Sequence, residues 1–393
     1  MLGFRRHTPL VTAAEKRVLH VAHYCQPHLG GLENVVAAET TRLAERGWDV
    51  ALLSSAWGAP PGQRTENGVR VVRVRAWHEL EPRFGVPFPV FSPWLLVAMW
   101  REVRRADVVH VHDPLYLTSW VAAFWCLLLR TPYVVHRHVG FVHHSSFVVR
   151  LVQRVVLGSF ARLVLNGASA ILPIDDYIAS TSPAPLRDRT RVIGNGVDTT
   201  LFRPAAPGEQ DRIRERLGLP RDQPLALFVG RFVPKKGFAH VAAAASDSYG
   251  LVFVGGDRPP GTDDARLHFL GGRPPAEMPD LYRSADIMIV ASVGECPLTV
   301  LEAMSSGLPV LANDDPALHS PWTAGPGVRF VDMASGHLRD ALETLAADEP
   351  LRTQLGADAH GFVQTAFSWD THVDHLEATY DRLGGRAASE ASG

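Results

Sequence analysis

Cysteine is scarce in this sequence: Cys25, Cys126 and Cys296 are the only three in 393 residues, odd in number and without paired spacing. That excludes a disulfide framework and a cysteine-based metal centre, and it suits three free thiols in a reducing compartment. An excess of either charge is also missing. Thirty-nine basic against forty-one acidic residues leave a formal charge of −2, so any basic site must be local and a nucleic-acid partner is not expected. No apolar run reaches the ~20 residues that span a bilayer; the longest, 115–129, includes Thr118 and Ser119 and reads as a buried helix. Arg5 and Arg6 precede no apolar stretch of signal-peptide length, so export is not expected. No short fixed repeat is present.

What is present is enough for two ordinary domains, since 46% apolar and 20% charged residues over this length allow two sizeable cores. Both halves alternate β-branched apolar runs with amphipathic stretches, the pattern of doubly wound parallel α/β sheets. In the first half strands are expected over 17–22, 49–54, 69–74, 107–112, 133–138, 170–173 and 191–193. Helices are expected over 33–46, 94–105, 115–129 and 146–165, with a proline-rich loop over 77–93.

The first strand runs through Gly30–Gly31 into a helix, which lets backbone approach a ligand at a helix N-terminus. The spacing is not that of a dinucleotide fingerprint, and a ligand-free tight turn is the plain alternative. Because side chains alternate along a strand, His110 and His112 share a face. They belong to a run of six with His136, His138, His143 and His144. No carboxylate or cysteine accompanies them at familiar zinc spacing, so they read as neutral hydrogen-bond donors at strand ends rather than metal ligands. His138, just before a glycine loop, is the candidate for a reactive pocket. Arg150, Arg154 and Arg162 on the 146–165 helix suit an anionic membrane, a phosphate-bearing acceptor or a half-buried face.

Residues 202–224 turn to proline, glycine and charge and read as the inter-domain linker, with a short helix at 210–217. Beyond it, strands are expected at 224–229, 251–254, 267–270, 287–291 and 309–312, and helices at 277–284, 337–347, 351–367 and 369–383. The domains are accordingly placed at 1–202 and 203–368, with the helix 369–383 packing back on the first and a disordered tail at 384–393.

Two loops in this second half carry chemistry. GRFVPKKG, 230–237, follows a strand directly and sets Arg231 and Lys236 where they can neutralise phosphates, a solvated basic turn being the alternative. SVGECPLTVLEAMSSGLPV, 292–310, leaves a strand through Gly294, Glu295, Cys296 and Pro297 and enters a short helix bearing Glu302. A proline at the first helical position and the amides behind it suit an anion. One turn on, Glu302 can return its carboxylate to the same ligand. A sugar nucleotide offers a diphosphate for the amides and a ribose diol for the carboxylate.

Taken together, these loops resemble the family-4 retaining glycosyltransferases of the GT-B fold over nearly the whole chain. The matching stretches are GGLENVV (30–36), DVVHVHD (107–113), TPYVVHRHVG (131–140), VIGNGVDTTLF (192–202), LFVGRFVPKKG (227–237), LYRSADIMIVAS (281–292) and ECPLTVLEAMSSGLPV (295–310). Their order and spacing carry the resemblance. It implies two Rossmann-like domains facing across a cleft, the donor nucleotide on the C-terminal one and the acceptor mostly on the N-terminal one. By position, Arg231 and Lys236 would clasp the diphosphate and Glu302 the ribose. The Leu298–Thr299 amides after Pro297 would hold phosphate, Gly31 would approach the diphosphate, and His138 would lie by the transferred sugar. Gly271 and Arg273 would flank the base, and His110, His112 and His143 would line the acceptor side. The last helix, with Trp369 and Tyr380, would cross back to the first domain. One departure stands out: the family's Glu-x7-Glu pattern puts its first glutamate at Gly294, so either a rearranged turn brings the next residue, Glu295, to the donor's sugar hydroxyls or the donor is held without that contact.

The expected reaction moves a sugar, most simply a hexose, from a nucleoside diphosphate sugar to a hydroxyl acceptor with retention. The acceptor class is a polysaccharide, glycolipid or natural product in a bacterial biosynthetic setting. With no paired acid and base in evidence, the leaving phosphate would itself take the acceptor proton, and no metal or other cofactor is required. The expected location is cytoplasmic, with peripheral membrane contact through the 146–165 helix left open. A sugar-nucleotide epimerase on the same scaffold would need a carboxylate acid/base pair, and a catalytically inactive sugar-nucleotide-binding module is the reading that Gly294 leaves standing.

Overall fold

Residues 16–28, 30–84, 88–138, 157–294 and 296–390 are described by the computed structural model. The apolar runs of the first half form β1 (Arg17–Val21), β2 (Asp49–Ser55), β3 (Gly62–Glu66) and β4 (Val69–Val74), then the short β5 (Ala76–Trp77) and β6 (Val90–Phe91), and β7 (Val108–His112), β8 (Tyr133–Arg137) and β9 (Ala170–Pro173). Seven of these make one sheet in the order β3-β4-β2-β1-β7-β8-β9, while β5 and β6 pair separately. Every residue of β7 and β8 is buried, as befits central parallel strands covered on both faces. The helices Gly31–Glu45, Trp94–Val103 and Leu117–Leu129 supply Val35, Val36 and Leu43, Leu95 and Met99, and Ala122 and Cys126 to that covering.

The second sheet is built from β10 (Leu225–Val229), β11 (Gly250–Val254), β12 (Leu267–Phe269), β13 (Ile287–Val290), β14 (Val310–Asn313) and β15 (Val328–Val331). Its order, β12-β11-β10-β13-β14-β15, is parallel throughout. Sequence order reverses between β10 and β13, which makes that seam the switch point where open α/β sheets take ligands. Leu227, Val252, Met288, Val300 and Met304 pack on one face, and Phe228, Phe253, Ile289, Leu338 and Leu342 on the other.

The chain divides into two compact units. The first holds the described residues up to Leu172, Pro183–Arg191, and the segment from Leu376; the second holds Pro173–Ser182 and Val192–His375. The sequence-based boundary at 202/203 therefore differs from the crossings at 172/173 and 191/192. The helix Trp369–Glu390 contributes its start to the second unit and its remainder to the first.

Several local expectations are corrected. Residues 191–193 form no strand element, but they run alongside β9: after a parallel bridge between Ile171 and Thr190, the Arg191 amide donates to Ile171 O and the Ile193 amide to Pro173 O, each at 2.9 Å. The 115–129 run begins its helix at Leu117 and is buried on one side only, since Phe124, Leu127 and Leu128 are exposed among the described residues. Within 202–224, Arg214 donates to Ser284 O at 2.8 Å and to Asp286 Oδ2 at 2.6 Å, so the helix Glu209–Leu217 is part of the second unit's body. The helix expected to stop at 383 continues through Glu390. Residues 77–93 hold the helix Leu80–Phe84 and the β5–β6 pair besides loop. Of the 146–165 helix, the described part is helical from Leu157; Arg150, Arg154, His143 and His144 lie outside the described residues.

Candidate active site

Four loops meet at the carboxyl ends of the second sheet. After β10, Gly230 donates to Val254 O at 2.9 Å; after β11, Gly255 donates to Gly271 O at 3.0 Å; and Val293, after β13, donates to Lys235 O at 2.9 Å. The loops approach so closely that side chains are excluded. A Cβ on Gly255 would lie 2.4 Å from Gly230 O, and one on Gly237 would lie 2.3 Å from Ala291 O, both at positive φ. The basic loop is fixed from beneath by Phe232, which packs against Phe228, Phe238, Phe253 and Phe269. Arg231, beside that anchor, is exposed, and Lys236 is half-buried. The sequence thus places these two cations at the β10/β13 seam, and the structure joins their loop to the loop that precedes Glu302.

That loop ends at Leu298, the N-cap of the helix Thr299–Ser305. Pro297 therefore precedes the cap instead of occupying the first helical position, and its carbonyl accepts from Val300 N at 3.1 Å. The Leu298 and Thr299 amides belong to the first turn, where an α-helix offers no internal acceptors. Beside them, Thr299 Oγ1 is buried and meets no hydrogen-bond partner among the described residues. Glu302 is not aimed freely at a ligand: its Oε2 accepts from the hydroxyl of buried Tyr282 at 2.6 Å. Burial pushes the Glu302 carboxyl above its ordinary value, and the tyrosine bond partly offsets that. Gly294 has φ +70° with open space around its missing Cβ, and its amide donates to Asp315 Oδ1 at 3.1 Å. A glutamate at 294 would have to adopt this left-handed backbone. Glu295 lies outside the described residues. Gly271, also at positive φ, is followed by Arg273, whose Nε donates to Leu270 O at 2.8 Å and whose Nη1 pairs with Glu277 at 3.0 Å.

In the first unit the histidines form a connected group. His20 of β1 lies beside His110 of β7, and His112 beside His136 of β8, so the parallel register stacks them on one face. His20, His110, His112 and His136 are all fully buried. Burial holds the His110 and His112 imidazoles well below their usual range, so both are neutral. This corrects the acceptor-side assignment of His110 and His112, which face one another and the helix Gly31–Glu45 rather than a surface; His143 lies outside the described residues. No carboxylate stands at familiar zinc spacing in the sequence, but the fold brings one to them. Glu39, fully buried on that helix, brings Oε1 within 3.2 Å of His136 Nδ1 and Oε2 within 3.7 Å of His112 Nε2. No motif spacing announces Glu39; only its helical phase, facing the sheet, gives a signal.

His138 is held at the end of β8 from two sides: His112 Nδ1 lies 3.2 Å from its Nε2, and its amide donates to Asp113 Oδ1 at 2.9 Å. Asp113, buried with φ +61°, is a second residue the motif reading missed, and such a conformation in a non-glycine residue is kept by its surroundings. Gly31 opens its helix at the surface, while a Cβ on its neighbour Gly30 would strike Glu33 Oε2 at 2.2 Å. Glu33 is held there by His28 Nδ1 at 2.8 Å.

The comparisons with known proteins agree with this geometry. Residues 29–201 match the model of Glycosyltransferase Family 4, and residues 209–361 that of Glycosyl transferases group 1. D-inositol 3-phosphate glycosyltransferase of Acidothermus cellulolyticus is 31% identical over 89% of this chain and 85% of its own length. The enzyme of the same name from Corynebacterium glutamicum is 27% identical over 92% and 95%. Among solved structures, sucrose-phosphate synthase of Thermosynechococcus elongatus superposes with a TM-score of 0.72 at 20% identity, covering 95% of this chain and all of that one. Anabaena HepE in complex with UDP does so with a TM-score of 0.70 at 18% identity, covering 93% and 100%.

Proposed function

Because the chain belongs to glycosyltransferase family 4 and has the GT-B fold, we propose that this glycosyltransferase moves a sugar from a nucleoside diphosphate sugar to a hydroxyl acceptor with retention at the anomeric carbon. The observation that carries the reading is the joining of the Arg231–Lys236 loop to the Leu298–Thr299 turn at the β10/β13 seam. As the bond to the leaving diphosphate breaks, negative charge grows on its oxygens. Two cations on a rigid loop, with first-turn amides alongside, stabilise that charge without reorganising. In this reading they take the place of a phosphate-bound metal, and the departing oxygen receives the acceptor proton on the same face.

Glu302 then binds the ribose diol as the ionised carboxylate, with Tyr282 holding its second oxygen. Gly271 and the ion-paired Arg273 border the base. His138 donates to the transferred sugar from a position set by Asp113 and His112. Solved neighbours include HepE bound to UDP and to UDP-glucose, which supports a uridine donor as the first to try. No helix among the described residues is long and apolar enough to cross a membrane. The exposed Phe124, Leu127, Leu128, Phe160 and Leu163 support contact with a membrane surface instead.

Incubation with UDP-, GDP- and ADP-sugars, against acceptors that include phosphorylated polyols and lipid-linked sugars, tests the proposal. Donor-dependent glycoside formation with the donor's own anomeric configuration in the product is expected. An inverted product overturns the retaining assignment, and binding without transfer across the panel overturns the enzymatic one.

A further inference from the structure

The first sheet buries more ligating atoms than its architecture needs. His20, His110 and His112 come from adjacent central strands, and Glu39 comes from the middle of the helix that covers them; all four side chains are fully buried. Each can offer one atom such that all four lie within 4.8 Å of one another. His20 Nδ1 is 3.0 Å from His112 Nε2, and Glu39 Oε2 is 3.7, 3.9 and 3.7 Å from His20 Nδ1, His110 Nε2 and His112 Nε2. A tetrahedral ion with ligands at about 2.0–2.1 Å has corners roughly 3.4 Å apart. The observed separations bracket that value.

Two further observations favour a cation over a simple polar core. First, His110 Nε2, buried and turned towards Glu39, meets no hydrogen-bond partner among the described residues, while its Nδ1 is engaged by Tyr380 Oη. Second, the outward nitrogens of His110 and His112 are engaged by other side chains, which leaves their inward nitrogens turned to the cluster. Tyr380 takes the Nδ1 of His110, and His138 takes that of His112.

We propose that His20, Glu39, His110 and His112 bind a divalent transition ion, zinc in type, as a closed structural site behind His138. Three nitrogens and one carboxylate oxygen match that ion's preference, and four protein ligands leave no open position for catalysis. With His112 Nε2 on the metal, its Nδ1 carries the proton and donates to His138 Nε2, fixing the orientation of His138. A second grouping, His112 with His136 and His138, lacks a carboxylate and includes a partly exposed residue, so it is the weaker cage.

The test uses the full-length chain without a histidine tag. Metal analysis of protein grown with zinc is expected to give roughly one zinc per chain. Replacement by Co2+ should produce the intense visible bands of tetrahedral cobalt, and added Zn2+ should raise the melting temperature of chelator-treated protein. Glu39→Gln, which keeps the size and hydrogen bonding of the side chain, should cut zinc affinity about 10–100-fold or more while circular dichroism stays native. Lys236→Ala should keep its zinc, which separates this site from a diphosphate-bound ion. Folded wild type that neither carries zinc nor takes up Co2+ or Zn2+ overturns the proposal, as does a Glu39→Gln protein that binds zinc like wild type.

Discussion

The Tyr282 hydroxyl donates to Glu302 Oε2 across 2.6 Å, so the carboxylate assigned to the ribose is already half-satisfied by the protein. Burial raises the Glu302 carboxyl above its reference value of 4.5. An acid raised in the folded state contributes stability that is complete below its unfolded value and is lost as pH rises through the folded one. Unliganded protein should therefore melt at lower temperature as pH climbs through that window. Tyr282→Phe, which removes the lowering bond, should extend the window to higher pH and cost about 1–3 kcal/mol. Glu302→Gln should flatten it. Thermal melts across pH check this, and a Tyr282→Phe window that moved to lower pH would contradict it.

Lys236 sits half-buried on the loop after β10, on the same loop as exposed Arg231. Lys236→Ala and Arg231→Ala should each lower kcat by about 10²–10³-fold, the usual loss when one preorganised charge-stabilising group is removed. Steady-state kinetics at saturating donor measure this. Near-normal turnover in both variants would remove the diphosphate assignment.

Gly237 and Gly271 both have φ +73°, yet only Gly237 faces a neighbour, with Ala291 O 2.3 Å from where its Cβ would be. Gly271→Ala should cost about 1–2 kcal/mol, the price of a left-handed alanine. Gly237→Ala should cost more and should also reduce activity by displacing Lys235–Lys236. Chemical denaturation of the two variants side by side tests the difference; equal costs would mean that the close approach is not maintained in solution.

Tyr380 is fully buried and bonds His110 Nδ1, while Glu377, one turn earlier, takes Trp48 Nε1 at 2.7 Å. Tyr380→Phe should destabilise the first unit by about 1–3 kcal/mol, because a buried imidazole nitrogen loses its partner. Urea unfolding followed by tryptophan fluorescence, with Trp322 and Trp369 of the second unit replaced by Phe in both proteins, reads that unit. An unchanged midpoint would show that the helix end does not depend on the bond.

Strands and helices with strong apolar period were legible in the sequence, as β1, β7, β10 and β13 show. What escaped did so for physical reasons. The edge strand β3 reads GQRTE, every residue exposed, so it has no apolar alternation to find. The short β15 is nowhere fully buried, and its pattern is too brief to stand out. At the proposed site, Arg231, Lys236 and Glu302 are the residues that motif spacing nominates. Glu39, Asp113 and Tyr282 were not legible, because each acts through a partner distant in sequence: Glu39 through His136, Asp113 through His138, and Tyr282 through Glu302. Burial of His110 and His112 was likewise invisible, since strand alternation gives a shared face but not what covers it.

The first unit takes its last residues from the far end of the chain, with Glu377 and Tyr380 closing onto Trp48 and His110. A ribosome making this protein therefore releases the first unit's strands long before the helix that completes them. The second unit, whose segments end at His375, has all its residues first. Synthesis from the N-terminus would finish the later half before the earlier one, leaving the His110 nitrogen without its tyrosine until the helix Trp369–Glu390 has been made.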